Sequence, residues 1–183
     1  GRPQGPQVCL KSDLGLIKPM GMTKAGELVY SALPGRRGGS IQLAGFDLAS
    51  GALAAPRDVS LAPEEDNVNP SWSPDGEYLA YVSQRGRPGA APIFVIRDGK
   101  SAALVREIEP KLRRAELAGW EPNGEALLAV GADFAGQVGA FRIDRASGDA
   151  SFLFAAPSAP TLSMPVWSAD GRTIYYWTRV GSS

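Results

Sequence analysis

The carboxylates best placed to do chemistry in this sequence are Asp75 and Asp170. Each stands three residues after a tryptophan and directly before a glycine. Two such groups suggest a general acid and a general base. Their surroundings argue for a structural role instead. Each belongs to a copy of one short run, Trp72-Ser-Pro-Asp-Gly76 and Trp167-Ser-Ala-Asp-Gly171. In such a run the aspartate accepts backbone N–H groups and the glycine supplies a positive φ. Equivalent positions of a repeat also stand too far apart to act on one substrate. The 183 residues include no histidine, which removes Ser-His-Asp and Cys-His catalysis and His-containing zinc sites. No Gly-x-Ser-x-Gly elbow, Walker loop or dinucleotide-binding glycine motif occurs. The expectation is a non-enzymatic chain with no cofactor and no metal site.

Binding chemistry is more promising at two charged segments. Glu64-Glu65-Asp66-Asn67 is the most acidic cluster, but it lacks the Asp-x-Asp-x-Asp-Gly spacing of a calcium loop and reads as a solvated connection. Arg36-Arg37 and Arg85-Gly-Arg87 fall at the same place in two consecutive repeats. Together Arg36, Arg37, Arg85, Arg87, Glu64, Glu65 and Asp66 are expected to share one rim of loops, the candidate partner-binding surface. The next repeat has Asp133-Phe134 there, so the basic character stops.

The elements that would position these loops are read from the tryptophans. Trp72, Trp120 and Trp167 lie 48 and 47 residues apart, and a glycine comes four residues after each: Gly76, Gly124 and Gly171. A weaker copy, Met22-Thr-Lys-Ala-Gly26, precedes them. A period in the forties with a Trp and an Asp-Gly turn predicts a β-propeller of four-stranded antiparallel blades. After each glycine comes an apolar strand. About 20 residues on comes a second, at Ile41–Asp47, Ile93–Asp98 and Val138–Asp144. It enters a turn at Asp47-Leu-Ala-Ser-Gly51, Asp98-Gly99 or Asp144-Arg-Ala-Ser-Gly148, and an outer strand returns. The 22 glycines and 15 prolines suit many short strands. The predicted blades are 19–63, 68–107 and 116–155, with a partial blade at 163–180. Residues 1–18 read as the outer strand of a preceding blade. Such a chain is expected to be a fragment of a larger propeller, with a closed four-blade ring as the alternative. Incomplete terminal blades would favour self-association, and Tyr175, Tyr176 and Trp177 would then face another chain.

The run Asn69-Pro-Ser-Trp72-Ser-Pro-Asp-Gly76-Glu-Tyr-Leu-Ala-Tyr-Val-Ser83 resembles the TolB-type, WD-repeat-like propeller repeat of bacteria. Met164–Tyr176 is a second strong match. Trp120-Glu-Pro-Asn-Gly124 departs by Glu for Ser and Asn for Asp. The resemblance implies a protein-interaction or sensing module with a protein partner. It is also compatible with the accessory propeller of a prolyl-oligopeptidase-type peptidase whose catalytic domain lies elsewhere.

Nineteen basic and nineteen acidic residues leave no net charge to attract nucleic acid or a membrane surface. Cys9 stands alone, so no disulfide forms within the chain. No run is long enough for a membrane-spanning helix. A periplasmic or extracytoplasmic setting is expected from the family, and the cytoplasm is compatible with the same composition.

Overall fold

Short apolar runs bounded by turns fold into β-strands throughout, and no helix occurs among the described residues. These are residues 17–22, 27–32, 39–59, 66–85, 90–155 and 162–178 of a computed structural model. The first sheet comprises β1 (Ile17–Met22), β2 (Glu27–Ala32), β3 (Ser40–Asp47) and an outer strand split into β4 (Ala52–Leu53) and β5 (Arg57–Asp58). The second holds β6 (Asp66–Trp72), β7 (Tyr78–Gln84), β8 (Ile93–Asp98) and β9 (Leu104–Ile108). The third holds β10 (Leu112–Trp120), β11 (Ala126–Asp133), β12 (Val138–Asp144) and β13 (Ala150–Phe154). The fourth is the pair β14 (Leu162–Trp167) and β15 (Ile174–Thr178). All pairings are antiparallel between sequence neighbours, except that β5 returns to β3. The outer strand of the first sheet is broken at 54–56, where Pro56 has no N–H to give the ladder. The outer strand expected within 1–18 lies outside the described residues, apart from Ile17 and Lys18, which open β1.

The middle strands β7 and β11 are apolar on both faces because the second and third sheets are each packed between two others. On β7, Leu79 and Tyr81 pack with Ile41, Leu43 and Val59 of the first sheet. Ala80 and Val82, which alternate with them in sequence, pack with Leu112, Leu117 and Phe141 of the third. On β11, Leu127 and Ala129 join that second cluster, while Leu128 faces Leu162 of the fourth sheet. Packing therefore passes from each sheet to the next. Among the described residues it does not return in any substantial way from the fourth sheet to the first, so the four sheets form an open run.

The inner strands β1, β6, β10 and β14 share a bulge shortly before the Trp or Met position, at Pro19/Gly21, Val68/Ser71, Leu117/Gly119 and Ser163/Val166. An extra residue there shifts the pleat by one and re-aims the side chains beyond it. Trp120 is thereby turned into the interface, buried to 7% exposure, and its indole Nε1 donates to Ser71 O of the preceding sheet at 3.0 Å. Trp72 and Trp167 are half-buried against the adjoining clusters. Gly99 leaves room for the Trp72 ring, since a Cβ at that position would collide with it.

The outer turns hold one correction to the expected pattern. Asp98-Gly99 is not a two-residue turn. It opens a five-residue turn of the same kind as Asp47–Gly51 and Asp144–Gly148. The N–H of Ala102 reaches Asp98 O at 2.9 Å, as those of Gly51 and Gly148 reach Asp47 O and Asp144 O at 2.8 and 2.9 Å. The position that demands a left-handed backbone is thus Ala102, at φ 58°, where the other two turns use glycine. Ala102→Gly should raise stability by up to about 1 kcal/mol in urea unfolding, because glycine removes the Cβ strain. The neighbouring Ala103→Gly should lower it. Trp120→Ala should cost roughly 3–5 kcal/mol, and a loss under about 0.5 kcal/mol would show that Trp120 does not hold the sheets together.

Candidate functional site

The two ends of the sheets differ in what they can do. One end carries the tight turns after β6, β10 and β14, and the five-residue turns after β3, β8 and β12. Here the carboxylates are used internally. Asp75 Oδ1 accepts the Ser73 hydroxyl at 2.5 Å and the Glu77 N–H at 2.9 Å, while Ser73 Oγ accepts the Tyr78 N–H at 2.9 Å. Asp170 repeats this with the Ser168 hydroxyl at 2.5 Å and the Arg172 N–H at 3.1 Å. In the third sheet Asn123 Oδ1 accepts the Glu125 N–H at 2.9 Å, so the turn survives without a carboxylate. Glu121, which replaces the serine, is held by Arg142 Nη2 at 2.8 Å. The serine hydroxyl, and after it the backbone N–H, holds Asp75 and Asp170 below the usual carboxylate pKa. A depressed value serves ionised turn formers, not proton donors.

The three tryptophans meet at this end. Trp72, Trp120 and Trp167 line one shallow pocket with Pro74, Pro122 and Ser168. Its wall is largely structural, because Trp120 is fixed by its bond to Ser71 O.

The other end carries the loops after β7 and β11 and the connections between sheets. Five of the seven residues expected to form its charged rim lie outside the described residues: Arg36, Arg37, Glu64, Glu65 and Arg87. The remaining two are engaged within the fold. Asp66 Oδ1 accepts the Gly39 N–H at 2.7 Å, and the Asn67 N–H reaches Gly39 O at 2.9 Å, which ties the first sheet to the second. Arg85 reaches across β8 to Glu107, with Nη1 donating to Oε2 at 3.0 Å, and that bond holds Glu107 below its usual pKa.

A cationic feature missed from the sequence lies beside them. β10 has a second bulge between Leu112 and Arg114. Burial along Leu112–Leu117 accordingly runs buried, exposed, exposed, buried, exposed, buried. Arg113 and Arg114 both face outward and line the same cleft, with Gln84, Pro92, Glu116, Val130, Val138 and Ser163 around them. Gly131 permits this geometry, since a Cβ there would collide with Arg114 O. The one signal available in the sequence was the adjacent pair of arginines inside an otherwise alternating strand.

On the fourth sheet, Met164, Val166, Tyr175, Tyr176 and Trp177 are exposed, with Met164 at 78% and Trp177 at 53%. Tyr176 touches Phe154 of the third sheet, ring centroids 5.2 Å apart.

Solved structures share this arrangement. The chain is 20% identical to the β-propeller domain of Swd1 from Myceliophteria thermophila, with 87% of this chain and 48% of that one covered and a TM-score of 0.54. It is 17% identical to the β-propeller domain of the Trilobed protease from Pyrococcus furiosus, covering 86% and 47%, with a TM-score of 0.52. The fold is that of a β-propeller. An oligogalacturonate lyase in complex with manganese aligns with a TM-score of 0.60 at 15% identity, over 87% of this chain and 44% of that one. The chain thus spans under half the length of these three solved chains. No family model matches the propeller's sequence. In propeller terms each sheet is a blade, and the bulged strands β1, β6, β10 and β14 are the inner ones.

Acid should weaken the turns. The stability that Asp75 contributes is complete above its free-chain value near 3.8 and is lost as the pH falls through the depressed folded value. Asp75→Asn should keep near-native stability at pH 7, as Asn123 does in its own blade, and flatten the loss of urea midpoint between about pH 5 and pH 2. Asp75→Ala should already be weakened at pH 7. An unchanged acid slope in Asp75→Asn would assign the pH dependence to other carboxylates.

Proposed function

We propose that this chain is a non-catalytic, TolB-type propeller module whose work is protein–protein contact, in a bacterial protein acting outside the cytoplasm. The observation that carries the reading is the exposed apolar face of the fourth blade. Tyr175 and Trp177 occupy the strand position that is buried on both faces in β7 and β11. Soluble proteins seldom leave such a contiguous aromatic patch in water, and where they do it marks a contact surface. Among the described residues β15 pairs with β14 alone.

The Trp-Ser-Pro-Asp-Gly repeats support the TolB-type assignment, and the family's envelope setting supports the compartment. The lyase and the protease among the structural neighbours, at 15% and 17% identity, support the fold and no activity. The carboxylates of the repeat turns are tied up in their own backbones, which favours a scaffold over a catalyst.

Light scattering should show concentration-dependent association of the chain in the micromolar range. Tyr175→Ser together with Trp177→Ser should shift it to monomer without lowering the urea midpoint of the first three blades. A compact monomer with uniform hydrogen-exchange protection through 166–178 would instead mean that the fourth blade is already covered, and the contact reading would fall.

A further inference from the structure

The cleft at the start of β10 holds two cations that no described residue engages. Neither guanidinium, Arg113 or Arg114, makes a hydrogen bond or ion pair among the described residues. Three other arginines are committed. Arg85 is held by Glu107 and Arg142 by Glu121. Arg97 is buried against Tyr81 Oη at 2.8 Å and Ala102 O at 2.9 Å.

The two free guanidiniums are aimed together by construction. In a regular strand, residues 113 and 114 would point to opposite faces. The bulge after Leu112 puts both on the exposed side, and the close approach of Gly131 to Arg114 O fixes the backbone there. Two planar donor forks side by side suit an oxyanion, and a carboxylate or phosphate can be held bidentately. The cleft has a volume of about 310 Å³, room for a few side chains. Its wall is mixed: Pro92, Val130, Val138 and Leu162 are apolar, Gln84 and Ser163 are polar, and Glu116 is acidic.

We infer that this cleft binds an acidic, extended peptide segment of a protein partner, with a carboxylate on Arg113 and Arg114 and an adjacent apolar side chain against Val130, Val138 and Leu162. The inference rests on the protein-contact reading above and adds a second, chemically distinct surface to it. A long polyanion is disfavoured, because Glu116 stands beside the pair and the chain has no net charge to draw one in. The apolar wall gives a small free anion nothing to hold.

Fluorescence anisotropy with a labelled decapeptide of alternating aspartate and leucine tests this on the full chain. The peptide should bind, and more weakly as sodium chloride rises from about 50 to about 300 mM. Arg113→Ala with Arg114→Ala should weaken binding at least tenfold while leaving the urea midpoint unchanged, since both side chains are exposed. Arg113→Lys with Arg114→Lys should recover part of the affinity, because the charge returns without the fork. Lys111→Ala, two positions outside the cleft, should change nothing. Equal binding by the double-alanine variant, or no binding at about 1 mM peptide, would overturn the inference. Inorganic phosphate binding more tightly than the peptide, in an arginine-dependent way, would also overturn it, by showing a small-anion site. None of these results alters association through Tyr175 and Trp177, so failure of this inference and failure of the contact reading are read separately.

Discussion

The central constraint in this chain is that the second and third sheets are each covered on both faces by other sheets. A single strand must then serve two interfaces at once. On β7 the odd positions Leu79 and Tyr81 belong to the contact with the first blade, and the even positions Ala80 and Val82 to the contact with the third. No face is left over for water, so the strand loses the polar alternation of a half-exposed sheet. The division of sizes tracks the division of faces, with bulky residues toward one neighbour and small ones toward the other on β7. This also explains why the fourth blade differs. β15 carries the same kind of sequence, yet Tyr175 and Trp177 are exposed because one of its two neighbours is not supplied by the described residues.

The inner strands add a second constraint. Four blades must converge there, and an unbroken pleat would send every other residue into the neighbouring blade. The recurrent bulge breaks that alternation just before the tryptophan. Its backbone is unusual: Asn69 and Met164, both directly before proline, sit at φ 56° and 50°. That conformation is disfavoured ahead of proline. It recurs three residues before Trp72 and Trp167, whereas Leu117, three before the more deeply buried Trp120, is not at positive φ. The bond from Trp120 Nε1 to Ser71 O shows what the bulge achieves, since it joins one inner strand to the next across the blade interface.

These two constraints account for what the sequence did and did not disclose. The Trp-x-x-Asp-Gly runs were legible because their chemistry is local: Ser73, Asp75 and the N–H groups within five residues form a closed set of hydrogen bonds. The strands were legible because covering both faces writes a continuous apolar run. Ala102 was hidden, because a left-handed alanine carries no compositional mark and Gly99, its neighbour in the turn, drew attention for a different reason, its contact with Trp72. The charged rim was read from loop position alone, which could not show that Arg85 reaches Glu107 or that Asp66 binds the Gly39 N–H. The Arg113–Arg114 cleft was hidden because simple alternation buries one of any two adjacent residues, and the bulge that exposes both is a property of the pairing with β11.

Net charge is a poor guide to such a surface. Nineteen positive and nineteen negative side chains cancel on paper, yet they are not spent equally. Many of the carboxylates are absorbed by turns: Asp47, Asp75, Asp98, Asp144 and Asp170 each accept local backbone N–H groups and are held below their usual pKa by them or by a nearby serine. Several arginines bind backbone carbonyls or rings instead of acids: Arg57 donates to Gly99 O and Lys100 O, and Arg145 lies 4.6 Å from the Tyr78 ring. The turn end therefore concentrates negative charge whose hydrogen bonds are already satisfied. At the loop end, no described residue takes up the donors of Arg113 and Arg114. A chain neutral in sum thus presents one end that is chemically closed and one that is open to an acidic partner. The asymmetry comes from the repeat itself, which places an aspartate in every outer turn and leaves the loop end free to vary.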